Sequence, residues 1–227
     1  MKAMILAAGL GTRMRPLTDH TPKPLLPAGG RPLIVWHIEK LAAAGFRDIV
    51  INLAWLGWKI PDALGDGARW GVNLHYSDEQ NEGEGALETA GGIVKALPLL
   101  GDAPFLVVNG DVWCDYPCLP RVWGGNDLAH LVLVNNPAHN LKGDFALEKG
   151  RVSSDGVERF TFSGIGYYHP QLFAGLPYGK RPLAPLLREI MMQGRVSGEL
   201  FTGDWRDIGT PERLAELDQD LRQGKAN

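Results

Sequence analysis

The apolar residues fall into two kinds of pattern: short unbroken runs that stop at a glycine or an acid, and longer stretches with helical spacing between them. "KAMILA", residues 2–7, is too short for an amphipathic helix and is followed by a glycine loop, which predicts a buried strand. "RPLIVWHIEKLAAAGF", residues 31–46, has Pro32 at a first helical position and apolar Leu33, Ile34, Ile38 and Leu41 on one face. Gly45 stands where a C-terminal cap belongs, so a helix is predicted there. "DIVINLA" reads as a second strand, and "VNLHYSD" as a third with Val72, Leu74 and Tyr76 alternating. "LETAGGIVKAL" reads as a helix and "APFLVVNGD" as a fourth strand. Strand and helix alternate over roughly the first 110 residues, which predicts a mostly parallel sheet covered on both faces.

The second half changes character. "HLVLVNN", "DFALEKG", "RVSSDG" and "SGIGYYHP" are shorter strand patterns broken by turns, an antiparallel or mixed patch. "PLAPLLREIMMQG" and "TPERLAELDQDLRQG" are helices, the second with Thr210 as N-cap, Pro211 at the first position and Glu212 in the first turn. No linker or repeat divides the 227 residues, so one α/β domain is expected.

Composition narrows the partners. With 44% hydrophobic and 22% charged residues the chain has the make-up of an ordinary folded protein. A net charge of −3 with no basic run excludes the footprint of a nucleic-acid binder, and no apolar stretch approaches the roughly 20 residues that span a bilayer. "MKAMILAAG" lacks a secretory cleavage segment, so the expected location is cytoplasmic. Cys114 and Cys118 are too few for a disulfide framework and read as buried or partly exposed thiols; the six histidines show no zinc spacing. Trp55, Trp58 and Trp70 read as packing residues, His37 as a packed helix residue, and no Gly-x-Ser-x-Gly elbow is present.

The chemistry concentrates in "AAGLGTRMRPLTDHTPKPLLP", residues 7–27, between the first strand and first helix. Glycines let backbone N–H groups approach phosphate oxygens, and Arg13, Arg15 and Lys23 add positive charge. A P-loop would need Lys then Ser or Thr after Gly11, and a dinucleotide fingerprint would need glycine or alanine at Met14; neither fits. A short glycine turn of this kind can also be a solvated surface loop, but the full string "GxGTRMxPLTxxxPKPLLP" is far more specific.

That string resembles the signature of the sugar-phosphate nucleotidyltransferases, which join a nucleoside triphosphate to a sugar 1-phosphate and release pyrophosphate. The resemblance continues through "VVNGDV" and "WRDIGTPE". It implies a single Rossmann-like (GT-A-like) α/β domain with a mixed, mostly parallel central sheet, a nucleotide-binding half over 1–112 and a sugar-binding half over 113–227. It implies that Ala8, Gly9, Gly11, Thr12, Arg13 and Lys23 hold the triphosphate, with Arg13, Lys23 and Asp111 catalytic. Alone, Asp111 would close a turn and Asp207 cap a helix; with the three motifs both are expected to share Mg²⁺.

For the base, Glu79, Gln80 and Glu88 are the candidates, and Glu88 stands where many relatives have the glycine of "LGTAG". For the sugar the candidates are Asn109, Asp144, Glu158, Ser163 and Gly164, although the Glu-Lys-Pro of larger hexose-specific relatives is missing. In length and in "FTFSGIG" the chain is similar to the short bacterial members that act on UTP and N-acetylmuramic acid 1-phosphate in cell-wall recycling. It ends soon after "GTPE", without the helical arm or β-helix of many relatives, so a monomer is expected. Guanylyltransferases for mannose or heptose 1-phosphate, phosphocholine cytidylyltransferases and a nonenzymatic nucleotide sensor are the alternatives.

Overall fold

The computed structural model describes residues 1–79 and 86–226. The first half runs β1 (Lys2–Leu6), a ribbon of β2 (Pro27–Ala28) and β3 (Arg31–Pro32), α1 (Leu33–Ala43), β4 (Asp48–Leu53), α2 (Lys59–Leu64), β5 (Asn73–Asp78), α3 (Glu88–Leu100) and β6 (Phe105–Asn109). The second half runs β7 (Val112–Cys114), β8 (Ala129–Val134), β9 (Phe145–Glu148), β10 (Arg151–Ser153) and β11 (Arg159–Tyr168). It closes with α4 (Leu183–Met192), β12 (Val196–Phe201), β13 (Trp205–Asp207) and α5 (Pro211–Arg222).

One nine-stranded sheet, in the order β5-β4-β1-β6-β11-β8-β12-β10-β9, carries the fold. β5, β4, β1 and β6 are parallel, β11 is antiparallel to both β6 and β8, and β12 returns parallel to β8. The apolar runs are continuous because both faces of the parallel strands are covered. In β1, Ala3 and Ile5 pack with Ile34, Ile38 and Leu41 of α1 on one face, while Met4 packs with Ala90, Ile93 and Ala96 of α3 on the other. β4 and β6 divide the same way, Ile49 and Ile51 against Val50, Leu106 and Val108 against Val107.

A third core lies outside the main sheet. Met14, Leu26, Ala28 and Leu33 meet Trp113, Ile208, Leu214 and Leu217, which pins the glycine loop to β7, β13 and α5. Sequence distance of some 200 residues is thereby closed by apolar burial. Thr210 caps α5 as expected, accepting from Arg213 N–H at 3.4 Å.

Several expectations need correction. α1 begins at Leu33, with Pro32 just outside it; β11 begins at Arg159 rather than Ser163; and α2, β7, β12 and β13 lie where no element was predicted. β12, "VSGELF", alternates with a glycine and a glutamate and pairs in the interior of the sheet, where Glu199 is held by Tyr116 Oη at 2.7 Å. Trp55 and Trp58 are exposed rather than packed in the core. Trp55 Nε1 donates to the Thr18 carbonyl at 3.0 Å and braces the loop, and the Trp58 ring lies 5.3 Å from Lys59 Nζ. Trp70 does pack against the core. Both cysteines are free and buried, and burial pushes their thiols up, to about 11 for Cys114 and about 12 for Cys118. Among the described residues no helix is long and apolar enough to cross a membrane.

Candidate active site

The parallel strands β4 and β5 lie to one side of β1 and β6 to the other, so the chain reverses direction across the sheet at β1. A crevice opens at the carboxyl ends of strands flanking such a reversal. Residues leaving β1, β4 and β6 line a cleft of about 220 Å³: Ala7, Ala8 and Gly9 from the loop, Asn52, and Asn109 to Asp111.

Buried polar bonds fix this cleft. Asn52 Oδ1 accepts from Ala7 N–H at 2.7 Å, and its Nδ2 donates to Glu79 Oε1 at 2.8 Å. Glu79 Oε2 in turn accepts from Leu87 N–H at 2.9 Å. One chain of bonds thus ties the first loop, β4 and the entrance of α3 together. On the other side Gly110 N–H donates to the Leu6 carbonyl at 2.9 Å, so close that a Cβ at position 110 would stand 2.6 Å from that oxygen.

The loop then turns at Gly11, whose φ of +63° suits glycine, and Thr18 Oγ1 donates to the Gly11 carbonyl at 2.8 Å. Thr12 to Met14 form a single 3₁₀ turn: Met14 is fully buried in the third core, while Thr12 and Arg13 are exposed on its other side. The "TRM" triplet therefore displays its polar residues because its methionine is anchored.

Lys23, only 8% exposed, extends to Asp111, with Nζ to Oδ2 at 2.9 Å. Asp111 and Asp207 are brought together by strand pairing. β7 and β13 run antiparallel with Asp207 opposite Val112, and Ile208 N–H donates to the Asp111 carbonyl at 2.9 Å. Asp207 Oδ2 meets Arg213 Nη1 at 2.7 Å and His139 Nε2 at 3.2 Å. Arg13 reaches the same corner: a Cβ on Gly209 would stand 3.2 Å from Arg13 Nη1 and within 3.2 Å of both Asp207 oxygens. Beneath Asp111 lies His37, which burial first and Lys40 second lower to a pKa of about 4, so its ring is neutral at physiological pH.

The donor set fits a hard divalent ion. Asp111 and Asp207 each make their side-chain bonds through Oδ2, leaving Oδ1 uncommitted among the described residues. No three acidic, histidine or cysteine residues gather into a cluster among the described residues. Two carboxylates, with phosphate oxygens and water completing the shell, is the arrangement Mg²⁺ favours.

A second cleft, of about 510 Å³, adjoins the first and shares Leu6, Glu88, Thr89 and Asn109 with it. Its walls are Val107, Phe145, Phe162, Tyr168, Leu183 and Leu187, with Asp144, Gly164 and Arg188 as further lining. Asn109 ends β6 at the junction. Gly164 has φ +80°, and a Cβ there would stand 2.6 Å from Asn109 Nδ2, so only glycine allows the approach.

The candidate residues from the sequence separate on this map. Ala8, Gly9, Lys23, Glu79, Glu88, Asn109 and Asp111 line the first cleft, and Glu88, Asn109, Asp144 and Gly164 line the second. Glu79 is 1% exposed with both oxygens bonded, which makes it a brace for the cleft wall. Glu88 has φ +59°, the conformation that glycine takes without strain. Gln80 lies outside the described residues.

Two sugar candidates do not reach the second cleft. Glu158 is exposed on the approach to β11 and lines neither cleft. Ser163 is fully buried, its hydroxyl donating to the Val132 carbonyl at 2.7 Å and accepting from Ile165 N–H at 3.1 Å; it builds the irregularity in β11 that presents Gly164. Asn52, His139, Arg188 and Arg213 were missed. A lone asparagine in "DIVINLA" was the available signal for Asn52. His139 carries no local pattern, and Arg188 and Arg213 read as ordinary solvent-facing helix residues.

A doubly wound sheet with a glycine loop, a lysine–aspartate pair and a second aspartate at its strand ends has the architecture in which α/β proteins bind ligands, nucleotides among them. The chain belongs to the nucleotidyl transferase family, whose model matches residues 2–123. It is 55% identical over 225 residues to an N-acetylmuramate alpha-1-phosphate uridylyltransferase of Neisseria meningitidis, covering 95% of this chain and 96% of that one. A protein of the same description from Caulobacter vibrioides is 32% identical, covering 99% and 97%. A mannose-1-phosphate guanyltransferase of Yarrowia lipolytica is 42% identical, over 93% of this chain but 61% of its own. In fold, the chain matches the crystal structure of a putative glucose-1-phosphate thymidylyltransferase from Bacillus anthracis with a TM-score of 0.83 at 22% identity, covering 98% and 95%.

Proposed function

We propose that this nucleotidyltransferase transfers UMP from UTP to N-acetylmuramic acid α-1-phosphate, giving the UDP-sugar and pyrophosphate, as a cytoplasmic monomer of cell-wall recycling. The observation that carries this reading is the end-to-end likeness, at 55% identity, to an N-acetylmuramate alpha-1-phosphate uridylyltransferase. The mannose-1-phosphate guanyltransferase of Yarrowia is matched over only 61% of its own length, so over a third of that relative has no counterpart here.

In this reading an oxygen of the sugar phosphate attacks the α-phosphorus of UTP, and the bond from that phosphorus to the β-phosphate oxygen breaks as pyrophosphate leaves. Alignment and charge neutralisation do most of the work in such a transfer. The backbone of Ala8, Gly9, Gly11 and Thr12 cradles the triphosphate, and exposed Arg13 takes the β- and γ-phosphates as negative charge accumulates there. Lys23 stands between the α-phosphate and the incoming phosphate, its stem held by burial and its ammonium by Asp111. Asp111 and Asp207 would hold Mg²⁺, which supplies charge neutralisation at the phosphates. Asn52 and Glu79 keep the loop backbone in place, with Gln80 and Glu88 on the base side; Asn109, Asp144 and Gly164 bound the sugar. The halves 1–112 and 113–227 accordingly serve mainly nucleotide and sugar.

Pyrophosphate release measured with Mg²⁺, each of the four nucleoside triphosphates and a panel of sugar 1-phosphates plus phosphocholine tests this. The expected result is fastest release from UTP with N-acetylmuramic acid 1-phosphate. Preference for GTP with mannose 1-phosphate, for CTP with phosphocholine, or no release from any pair overturns it.

A further inference from the structure

Arg188 sits on α4 and lines the larger cleft, where among the described lining residues it is the only cation. Most arginines near acids in this molecule are paired, as Arg151 is with Asp127, Arg206 with Asp204 and Asp220, and Arg213 with Asp207. Arg188 is exposed and, among the described residues, has neither an ion pair nor a hydrogen bond; its guanidinium lies 5.9 Å from the Phe145 ring centroid. The nearest acid of the cleft wall in sequence to that ring, Asp144, is already committed: Oδ2 accepts from Phe162 N–H at 2.8 Å and Oδ1 from Asn140 at 3.2 Å. The cleft thus has apolar walls from Phe145, Phe162, Leu183 and Leu187, the acids Asp144 and Glu88, and one guanidinium with no ion pair among the described residues.

The reacting end of any sugar phosphate must face Lys23 and Asp111, across Asn109, because the transfer happens there. Whatever the sugar carries away from that end meets α4. A neutral hexose offers only hydroxyls, which need no guanidinium, whereas the lactyl ether of N-acetylmuramic acid ends in a carboxylate that a guanidinium can grip with two hydrogen bonds. We infer that Arg188 binds the lactyl carboxylate of the sugar 1-phosphate and so selects an acidic sugar over its neutral counterparts. This rests on the N-acetylmuramate reading above and adds to it the residue that reads the acid.

The test compares N-acetylmuramic acid 1-phosphate with its lactyl methyl ester, as kcat/KM for pyrophosphate release by the full chain, in the wild type and in Arg188→Met, Arg188→Gln and Arg188→Lys. The ester removes the negative charge while keeping the rest of the sugar, so the two changes form a cycle. The wild type should prefer the free acid by tenfold or more, mainly through KM. Arg188→Met and Arg188→Gln should bring that preference to within twofold of unity, and Arg188→Lys should keep part of it. A preference that survives in both neutral variants overturns the inference and leaves the substrate reading standing, as does a wild type that turns over acid and ester equally. A wild type that turns over neither, yet uses neutral sugar 1-phosphates, overturns both.

Discussion

The two adjoining clefts are built from different materials. The first cleft, assigned to the nucleotide in the proposed function, is backbone and charge, held by a chain of buried hydrogen bonds from Ala7 through Asn52 and Glu79 to Leu87. The second cleft, assigned to the sugar in that reading, is aromatic and aliphatic wall with a few polar groups set into it. A polyphosphate offers the same oxygens whatever base or sugar follows, so a fixed frame of N–H groups and cations suits it. A sugar is told apart by its substituents, and a wall of side chains can be changed one residue at a time. In the proposed function the frame carries the reaction and the wall the choice of sugar.

Substitutions sharpen that contrast. The largest effect is expected at the paired charges: Lys23→Ala and Asp111→Ala each remove a charge-assisted contact of about 1.5 to 3 kcal/mol, so turnover at saturating substrates and Mg²⁺ falls more than tenfold. Steady-state kcat checks it, and normal turnover in either variant breaks the assignment. Next, Asn52→Leu strands the buried Ala7 N–H and removes the Asn52 bond to Glu79 Oε1, a loss of about 1 to 3 kcal/mol in urea unfolding. Because the loop backbone loosens, KM for UTP should rise more than KM for the sugar phosphate.

Gly164→Ala should do the reverse. A Cβ at φ +80°, 2.6 Å from Asn109 Nδ2, pushes on the junction of the clefts, so KM for the sugar phosphate should rise several-fold while KM for UTP holds. The smallest effect is a gain. Glu88 at φ +59° stores strain of about 1 kcal/mol, so Glu88→Gly should raise stability by a fraction of that, read as a small rise in thermal midpoint. An unchanged or lowered midpoint would show that Glu88 contributes contacts outweighing its strain.

The frame was far more legible in the sequence than the wall. "GLGTRM", "PKP", "VVNGD" and "WRDIG" are compact strings whose proposed roles run through backbone or through one charge each; the main sheet gathers the first three, and the β7–β13 pairing with the third core adds the last. Even there, Met14 matters through its burial against Ile208 and Leu214, a contact that no local pattern announces. The wall of the second cleft is assembled from residues scattered over β6, β9, β11 and α4, and its members read as ordinary core or helix surface. Ser163 and Glu158 illustrate the limit: a polar residue in the right segment can be spent inside a strand irregularity or left in solvent. Arg188 is the converse, a surface arginine by pattern whose place in a cleft comes from how α4 packs. β12 escaped because a glutamate inside an interior strand breaks the apolar run, and its partners Tyr116 and His130 are distant in sequence.

The central claim is that Asp111 and Asp207, joined by β7 and β13, hold one divalent ion against the triphosphate. Electron paramagnetic resonance of Mn²⁺ titrated into the protein with a nonhydrolysable UTP analogue measures this directly. The expected result is one tightly bound ion per chain in the wild type, with binding weakened more than tenfold in Asp111→Asn and in Asp207→Asn. Undiminished binding of that ion in both variants would contradict it.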